Sequence, residues 1–122
     1  MIQIETIETS SLGDRSYLAS DGEIAVVVDP QRDIDRVLDL VDKRGVRVTH
    51  VLETHIHNDY VTGGLELAAR TGATYVLPTG SDALFEHHAV GDGDVLEAGA
   101  IRLRFFLRKR KQVSISSRYL VR

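Results

Sequence analysis

The sequence predicts an α/β (α+β) fold built from strands and two amphipathic helices. Two apolar runs, Ile24 to Val28 and Val46 to Leu52, have the length and the β-branched content of buried strands. Between them, apolar side chains recur at helical spacing from Ile34 to Val41, and Gly45 supplies a stop signal. Strand, helix and strand in this order indicate an α/β domain.

The other elements follow from local signals along the chain. Apolar Ile2 and Ile4 alternate with polar Gln3 and Glu5 in a strand predicted over residues 2 to 7. A second strand at residues 16 to 19 leads to a hairpin turn at Asp21-Gly22. Beyond the second apolar run, Gly63-Gly64 opens a helix that Gly72 ends, and residues 73 to 77 form a strand. The predicted order is therefore β-β-β-α-β-α-β.

A short helix and a hairpin are predicted to follow that series. Ser81 is a suitable N-cap for a short helix that reaches His88. Asp92-Gly93 favours a hairpin between residues 89–90 and residues 95–96. A last strand is predicted over Ile101 to Leu107.

Two histidines and an aspartate alternate directly after the second apolar run. Residues 53 to 60 read Glu-Thr-His-Ile-His-Asn-Asp-Tyr, which spaces His55, His57 and Asp59 by two. This spacing aims the side chains the same way, and ligands of α/β proteins gather where strands end. Imidazole nitrogen and carboxylate oxygen suit zinc or ferrous iron. The segment therefore predicts a metal site, although a lone His-x-His is more often a surface or core pair.

Several separated segments resemble the metallo-β-lactamase superfamily. Thr54 to Tyr60, followed by Val61-Thr62-Gly63-Gly64, is similar to the His-x-His-x-Asp-His loop of that family. Val28-Asp29-Pro30 resembles its first motif, a strand that ends in an aspartate bracing the metal loop. Residues 71–75 and 90–94 stand where the family has its next strand and turn. The chain looks most like the glyoxalase II and persulfide dioxygenase branch, over roughly residues 1 to 104.

The resemblance implies the N-terminal part of an αββα sandwich and one divalent metal, zinc or ferrous iron. It implies that His55 is a metal ligand. By the same resemblance, His57 and Asp59 are ligands in a hydrolase, where Asp59 orients the nucleophile, and neighbours of the metal in a dioxygenase. Thr54 and Asp29 are expected to support these residues from beside the site.

Tyr60 departs from the family pattern, because the family has a second-site histidine at this position. A phenol, with a pKa of about 10, is a poor ligand for a divalent metal near neutral pH. A single-metal site survives this change better than a binuclear zinc site. Beside the metal, Tyr60 is expected to form hydrogen bonds to the ligands or to serve packing alone.

The chain after Arg104 departs further from the family. It lacks a His-Thr-Pro-Gly-His-like loop, and residues 101 to 122 hold 8 of the 15 Lys and Arg residues but none of the 18 Asp and Glu residues. Such a block also occurs in phosphate-binding surfaces and in solvated tails. We predict a partial metallo-β-lactamase-like domain over residues 1–104 and a divergent basic tail over residues 105–122, caused by truncation or a change of reading frame.

Two functions remain open from the sequence. The first is a metal-dependent hydrolase or persulfide dioxygenase that acts on a small-molecule, glutathione-type thioester or persulfide and is incomplete in this chain. The second is a catalytically inactive fragment or a binding module with a basic tail. Because the later family ligands are missing, we expect weak metal binding and little turnover. An uncovered sheet face would also favour self-association.

Composition and the N-terminal residues restrict the cellular context. The chain has 122 residues, of which 43% are apolar, and no cysteine, which excludes disulfides, thiolate ligands and a cysteine nucleophile. Residues 1 to 5 have neither the basic region nor the apolar stretch of a signal peptide or membrane span. We expect a cytoplasmic protein that contacts neither nucleic acid nor membrane.

The three remaining histidines have structural interpretations. His50 lies inside the second apolar run and is expected to pack rather than to bind metal. His87 and His88 end the predicted short helix, where a cationic imidazole suits the helix dipole. Approach of these two side chains to a substrate is the alternative.

Overall fold

The described residues form a six-stranded sheet, a three-stranded sheet and two helices. The computed structural model describes residues 2–9, 14–30, 34–53, 63–78, 87–108 and 112–116. Their elements are β1 (Gln3–Thr9), β2 (Asp14–Ser20), β3 (Ile24–Val28), α1 (Asp35–Arg44), β4 (Arg47–Leu52), α2 (Gly64–Thr71), β5 (Thr74–Pro78), β6 (His88–Val90), β7 (Val95–Ala98), β8 (Ile101–Arg108) and β9 (Gln112–Ser116). The predicted order β-β-β-α-β-α-β is confirmed through β5.

The six-stranded sheet has the order β1-β2-β3-β4-β5-β6. Strands β1 to β3 pair antiparallel, and the Asp21-Gly22 turn joins β2 to β3 as the sequence predicts. From β3 to β6 the pairing is parallel. Helices α1 and α2 form the crossovers between the central strands, so the ends of β3, β4 and β5 meet at one edge of the sheet.

The two helices begin and end where their sequence patterns indicate. In α1, Val37 is buried, while acidic and basic residues occupy the first and last turns in the order that suits the helix dipole. Gly45 ends α1 with a φ of 67°, and Gly72 ends α2 with a φ of 74°. Glycine adopts this left-handed conformation without the steric cost that other residues meet.

Two apolar clusters cover the six-stranded sheet on both faces. One cluster packs Val37 of α1 and Leu67 of α2 against strands that include β3 and β4. The other packs Ile101, Leu103 and Phe105 of β8 against the opposite face. One uncovered sheet face was expected from the sequence. That expectation is wrong for the six-stranded sheet, because β7 and β8 pack on the face opposite the helices. Self-association stays a prediction.

An irregularity in the β3–β4 pairing changes the side on which β4 residues lie. Ala25 pairs with Val48 and Val26 pairs with His50, so Thr49 is an extra residue on β4. Val48 and Val51 consequently both belong to the cluster that packs against α1 and α2, although residues three apart on a regular strand point to opposite faces. The residue after the strand, Glu53, returns to the helix side.

Three predictions about the later elements need correction or extension. The Asp92-Gly93 turn is present, with a Gly93 φ of 82°, but it joins β6 of one sheet to β7 of the other instead of closing a hairpin. His88 begins strand β6 rather than ending a helix, and residues 79 to 86, where the rest of that helix was predicted, lie outside the described residues.

The third prediction concerns the chain beyond Leu107. Strand β8 crosses residue 104 and continues to Arg108, and β9 pairs antiparallel with it. The sequence does not predict β9. The division into residues 1–104 and 105–122 stays a prediction.

Candidate metal centre

Three strands end together at the edge of the sheet where the metal segment was predicted. Residues 27 and 28 of β3 pair with residues 51 and 52 of β4, and Leu52 also pairs with Val76 of β5. Glu53, directly after β4, and Gly63, directly before α2, are the described flanks of the predicted metal segment, residues 54 to 62. An edge formed by carboxyl ends of parallel strands is the usual location of ligand sites in α/β sheets.

Asp29 follows β3 at this edge, in a backbone conformation that few residues adopt. Its φ is 52°, the one positive value among the described residues other than glycine. Its N–H donates to the carbonyl of Leu52 at 2.7 Å, and its own carbonyl accepts a hydrogen bond from the Ser16 hydroxyl at 2.6 Å. These contacts tie the residue to the end of β4 and to β2. Whether its carboxylate supports metal ligands stays a prediction.

Glu53 is a buried carboxylate that the sequence analysis did not single out. Only 4% of the residue is exposed. Its backbone N–H donates to the carbonyl of Val76 at 3.1 Å, and its Oε2 accepts a hydrogen bond from the Tyr75 hydroxyl at 2.7 Å. The sequence signal that could have identified Glu53 is a charged residue between an apolar run and a His-x-His motif. The side on which it lies depends on the irregular residue Thr49, which the sequence does not reveal.

Gly64, the first residue of α2, lies against this carboxylate. A Cβ placed on Gly64 would overlap Glu53 Oε2 and would lie 2.9 Å from Tyr75 Cε1 and 3.0 Å from the Tyr75 hydroxyl. The backbone of Gly64 therefore lies closer to these two side chains than a residue with a Cβ could. Space, rather than an unusual dihedral angle, requires glycine here.

Five of the predicted site residues, Thr54, His55, His57, Asp59 and Tyr60, lie outside the described residues. Both flanks of their segment, Glu53 and Gly63, are described. Among the described residues, no group of three or more His, Asp and Glu side chains is placed to hold a metal ion. The ligand set therefore stays a prediction, while the location of its flanks at the strand edge is established.

The remaining histidines belong to or directly precede strands β4 and β6, and His88 pairs with Val76 of β5. His50 is a half-buried residue inside β4, and its Nδ1 lies 2.9 Å from the Thr49 hydroxyl. Burial lowers its pKa, and the charge of His88 lowers it further. His87 and His88 line a groove of about 710 Å³ between α2 and the beginnings of β5 and β6. The helix-dipole explanation for these two residues is wrong for His88, which belongs to a strand.

In the part of the chain that the structure describes, neither helix is both long and apolar enough to cross a membrane.

The six-stranded sheet has helices on one face and strands of a second sheet on the other, and the sequence between β4 and α2 carries the His-x-His-x-Asp motif. The chain belongs to the metallo-β-lactamase superfamily, whose family model matches residues 14–118. The match extends past residue 104, the limit of the resemblance seen in the sequence.

Relatives of known description support the same family. A hydroxyacylglutathione hydrolase from Methylobacillus flagellatus is 39% identical over 79 residues, which are 65% of this chain and 31% of the relative. Another, from Methylococcus capsulatus, is 54% identical over 44 residues, which are 36% of this chain and 17% of the relative. The chain thus spans a third or less of the length of these curated relatives.

Solved structures share the fold over most of the chain. The metallo-β-lactamase of Staphylococcus aureus superimposes with a TM-score of 0.84 at 24% identity, covering 95% of this chain and 38% of that protein. ETHE1 from Myxococcus xanthus superimposes with a TM-score of 0.82 at 26% identity, covering 93% of this chain and 53% of that protein. This agreement confirms that the described elements correspond to part of a metallo-β-lactamase fold.

Proposed function

We propose that this chain forms the metal-binding edge of a hydrolase that acts on a glutathione-type thioester. The observation that carries the proposal is the family match over residues 14–118, which includes the His55-x-His57-x-Asp59 segment and both of its described flanks. The similarity to hydroxyacylglutathione hydrolases supports the substrate class, a small molecule derived from a thiol.

The donor set fits a divalent metal. Two neutral imidazoles and one carboxylate suit zinc, and they also suit ferrous iron when three coordination positions stay open. His55, His57 and Asp59 would hold the ion, and Asp29, Thr54 and Tyr60 would support them from beside the site. A bound ion of this kind polarises a thioester carbonyl and lowers the pKa of water to about 7.

The protein side chains have separate roles in this proposal. Asp59 accepts a proton or a hydrogen bond from the attacking water and so orients it toward the carbonyl carbon. His55 and His57 must stay neutral to act as ligands, which restricts metal binding to pH values near or above the imidazole pKa. The strand edge fixes the backbone on either side of the segment, which limits the freedom that its ligands must lose on binding.

A persulfide dioxygenase is the second candidate, and Tyr60 is the observation that favours it. With a phenol in place of the family's second-site histidine, a single metal ion is expected, and ferrous iron with open positions can bind both dioxygen and a persulfide. A binding module without catalysis is the third candidate. The cytoplasmic location predicted from the sequence stays a prediction.

One experiment separates these candidates. The purified chain is loaded with zinc or, without oxygen, with ferrous iron. It is then assayed for thiol release from a hydroxyacylglutathione thioester and for dioxygen uptake with glutathione persulfide. We expect slow zinc-dependent thiol release that Asp59→Asn abolishes. Dioxygen uptake by the iron form, without thiol release by the zinc form, would support the dioxygenase instead of the hydrolase. If the wild-type chain is no faster than Asp59→Asn in both assays, the chain is a binding module without catalysis.

A further inference from the structure

Asp29 has a backbone conformation that its local sequence disfavours. Its φ of 52° lies in the left-handed region, where a residue with a Cβ meets a steric cost, although aspartate tolerates it better than most. Pro30 follows it, and the proline ring pushes the residue before it toward extended conformations. Contacts from other parts of the fold must therefore stabilise the conformation of Asp29.

Two neighbouring strands provide these contacts, one on each side of the Asp29 α-carbon. The Asp29 N–H donates to the Leu52 carbonyl of β4 at 2.7 Å, and the Asp29 carbonyl accepts from the Ser16 hydroxyl of β2 at 2.6 Å. The first bond orients the peptide group before the residue, and the second orients the peptide group after it. Because each peptide group is planar, the two bonds together restrict both φ and ψ of one residue.

The Ser16 hydroxyl lies where the pairing of β2 with β3 ends. The antiparallel register pairs Tyr17 with Val28, so the next pair would be Ser16 with Asp29. At that position the side chain of Ser16 contacts the main chain of Asp29. Ser16 is only 1% exposed, and a buried hydroxyl is costly unless it is hydrogen-bonded. Alanine would fit the same space, but it would leave the Asp29 carbonyl without this donor.

We propose that Ser16 is a positioning residue for Asp29, whose left-handed conformation it stabilises at the end of β3. Without the hydroxyl, Asp29 shifts toward the extended conformation that Pro30 favours, and the chain leaves β3 in a different direction. The statement that Ser16 thereby affects metal affinity rests on the proposed function. The conformational role does not, because it involves only Ser16, Asp29 and Leu52.

The test removes the hydroxyl and the steric cost separately in the full, metal-free chain. Ser16→Ala deletes the hydroxyl, and Asp29→Gly removes the cost of a positive φ. The double variant combines both changes. Ser20→Ala is the matched control, since it deletes another buried hydroxyl from the same face of β2, at a residue that is 3% exposed.

Two quantities are measured by nuclear magnetic resonance. The first is amide exchange of residue 29, corrected for the intrinsic rate of each sequence. Its reference is the amide of Glu53, which donates to the Val76 carbonyl at the same edge of the sheet. The second is the set of backbone chemical shifts of residue 29, which differ between a left-handed and an extended residue.

We expect Ser16→Ala to speed exchange of residue 29 by about five- to tenfold, the change that corresponds to one net hydrogen bond. Exchange of Glu53 should stay within about twofold of the wild type, and the shifts of residue 29 should move toward extended values. The double variant should return to about the wild-type exchange rate, because glycine adopts a positive φ without the steric cost. Ser20→Ala should leave both quantities of residue 29 unchanged.

Zinc affinity, measured by chelator competition, extends the test to the proposed function. Ser16→Ala should weaken zinc binding by about tenfold, the low end for groups that orient metal ligands. Ser20→Ala should bind zinc like the wild type. If the wild-type chain binds no zinc, the proposed function fails, but the metal-free measurements still decide the role of Ser16.

Two results would overturn the proposal. In the first, Ser16→Ala speeds exchange of residues 29 and 53 equally, which would assign the hydroxyl to general stability. In the second, residue 29 keeps its wild-type exchange rate and shifts, which would show that the bond to Leu52 and the burial of Pro30 are sufficient. If Ser16→Ala does not fold, the double variant decides: folding restored by glycine supports the proposal, and failure of both variants contradicts it.

Discussion

The Asp21 carboxylate, in the turn between β2 and β3, accepts a hydrogen bond from the backbone N–H of Ala100, in the turn between β7 and β8, at 2.9 Å. Its other oxygen accepts the N–H groups of Glu23 and Ile24, also at 2.9 Å. One side chain therefore shapes its own turn and joins the two sheets. Gly99 permits this contact, because a Cβ there would lie 2.5 Å from Asp21 Oδ2.

Asp21→Asn should lower the free energy of unfolding by about 1 kcal/mol, because asparagine has only one oxygen and must lose an acceptor in one of the two turns. The value lies at the low end for a hydrogen bond to a charged group, since water reaches this carboxylate. Urea unfolding measures the change. Asp39→Asn on the exposed side of α1 is the control and should stay within about 0.5 kcal/mol of the wild type. Equal values for both variants would contradict the inter-sheet role.

The same carboxylate should make stability depend on pH in the acid range. The N–H of Ala100, followed by that of Ile24, lowers the pKa of Asp21 below its ordinary value. A group with a lowered folded pKa contributes stability above its unfolded pKa of about 3.9 and loses it as pH falls through the folded value. The difference between wild type and Asp21→Asn should therefore be constant from about pH 7 to 5 and shrink below about pH 4. A difference that is unchanged at about pH 3 would contradict this assignment.

His50 should cause a separate loss of stability as pH falls, in a range above that of Asp21. Burial, and secondarily the charge of His88, lowers its pKa, so the folded state favours the neutral imidazole. Below the unfolded pKa of about 6.5 the unfolded chain binds the proton more readily, and stability falls with pH. His50→Gln should flatten the decline in unfolding free energy between about pH 7 and 5. His88→Gln should flatten it partly, by removing the neighbouring charge. Identical slopes for all three proteins would exclude His50 as the cause.

Local signals predicted the elements of this fold better than the contacts between them. Gly45 and Gly72 end their helices because glycine tolerates the left-handed conformation that a helix end requires, and this preference is visible in the sequence. The turn at Asp92-Gly93 was likewise located correctly. Which strands that turn connects depends on pairing with β5 and β8, which no local pattern encodes.

The candidate site was predicted as a ligand motif but not as a structure. The His-x-His-x-Asp spacing and the apolar run before it are sequence properties, and they led to the sheet edge. The buried Glu53–Tyr75 pair was not predicted, because it depends on the pairing of β4 with β5 and on the face that Glu53 takes, which no local pattern encodes. Thr49 is an extra residue on β4, so the residues after it lie on the opposite face of the sheet from the one that strict alternation predicts. Strand β9 was missed since its basic flanks resemble a solvated tail.

The predicted metal segment should bind one divalent ion weakly and through its histidines. Two imidazoles and a carboxylate leave coordination positions open, so we expect one zinc per chain that a strong chelator removes readily. His57→Ala should weaken zinc binding at least about tenfold, as expected when even a supporting group of a metal site is lost. His87→Ala, a histidine in the groove beside α2, is the matched control and should bind like the wild type. Isothermal titration with zinc at about pH 7.5, where imidazoles are neutral, gives stoichiometry and affinity together. A second zinc of equal affinity would contradict the single-metal interpretation of Tyr60, and equal losses in both variants would show that binding does not involve the segment.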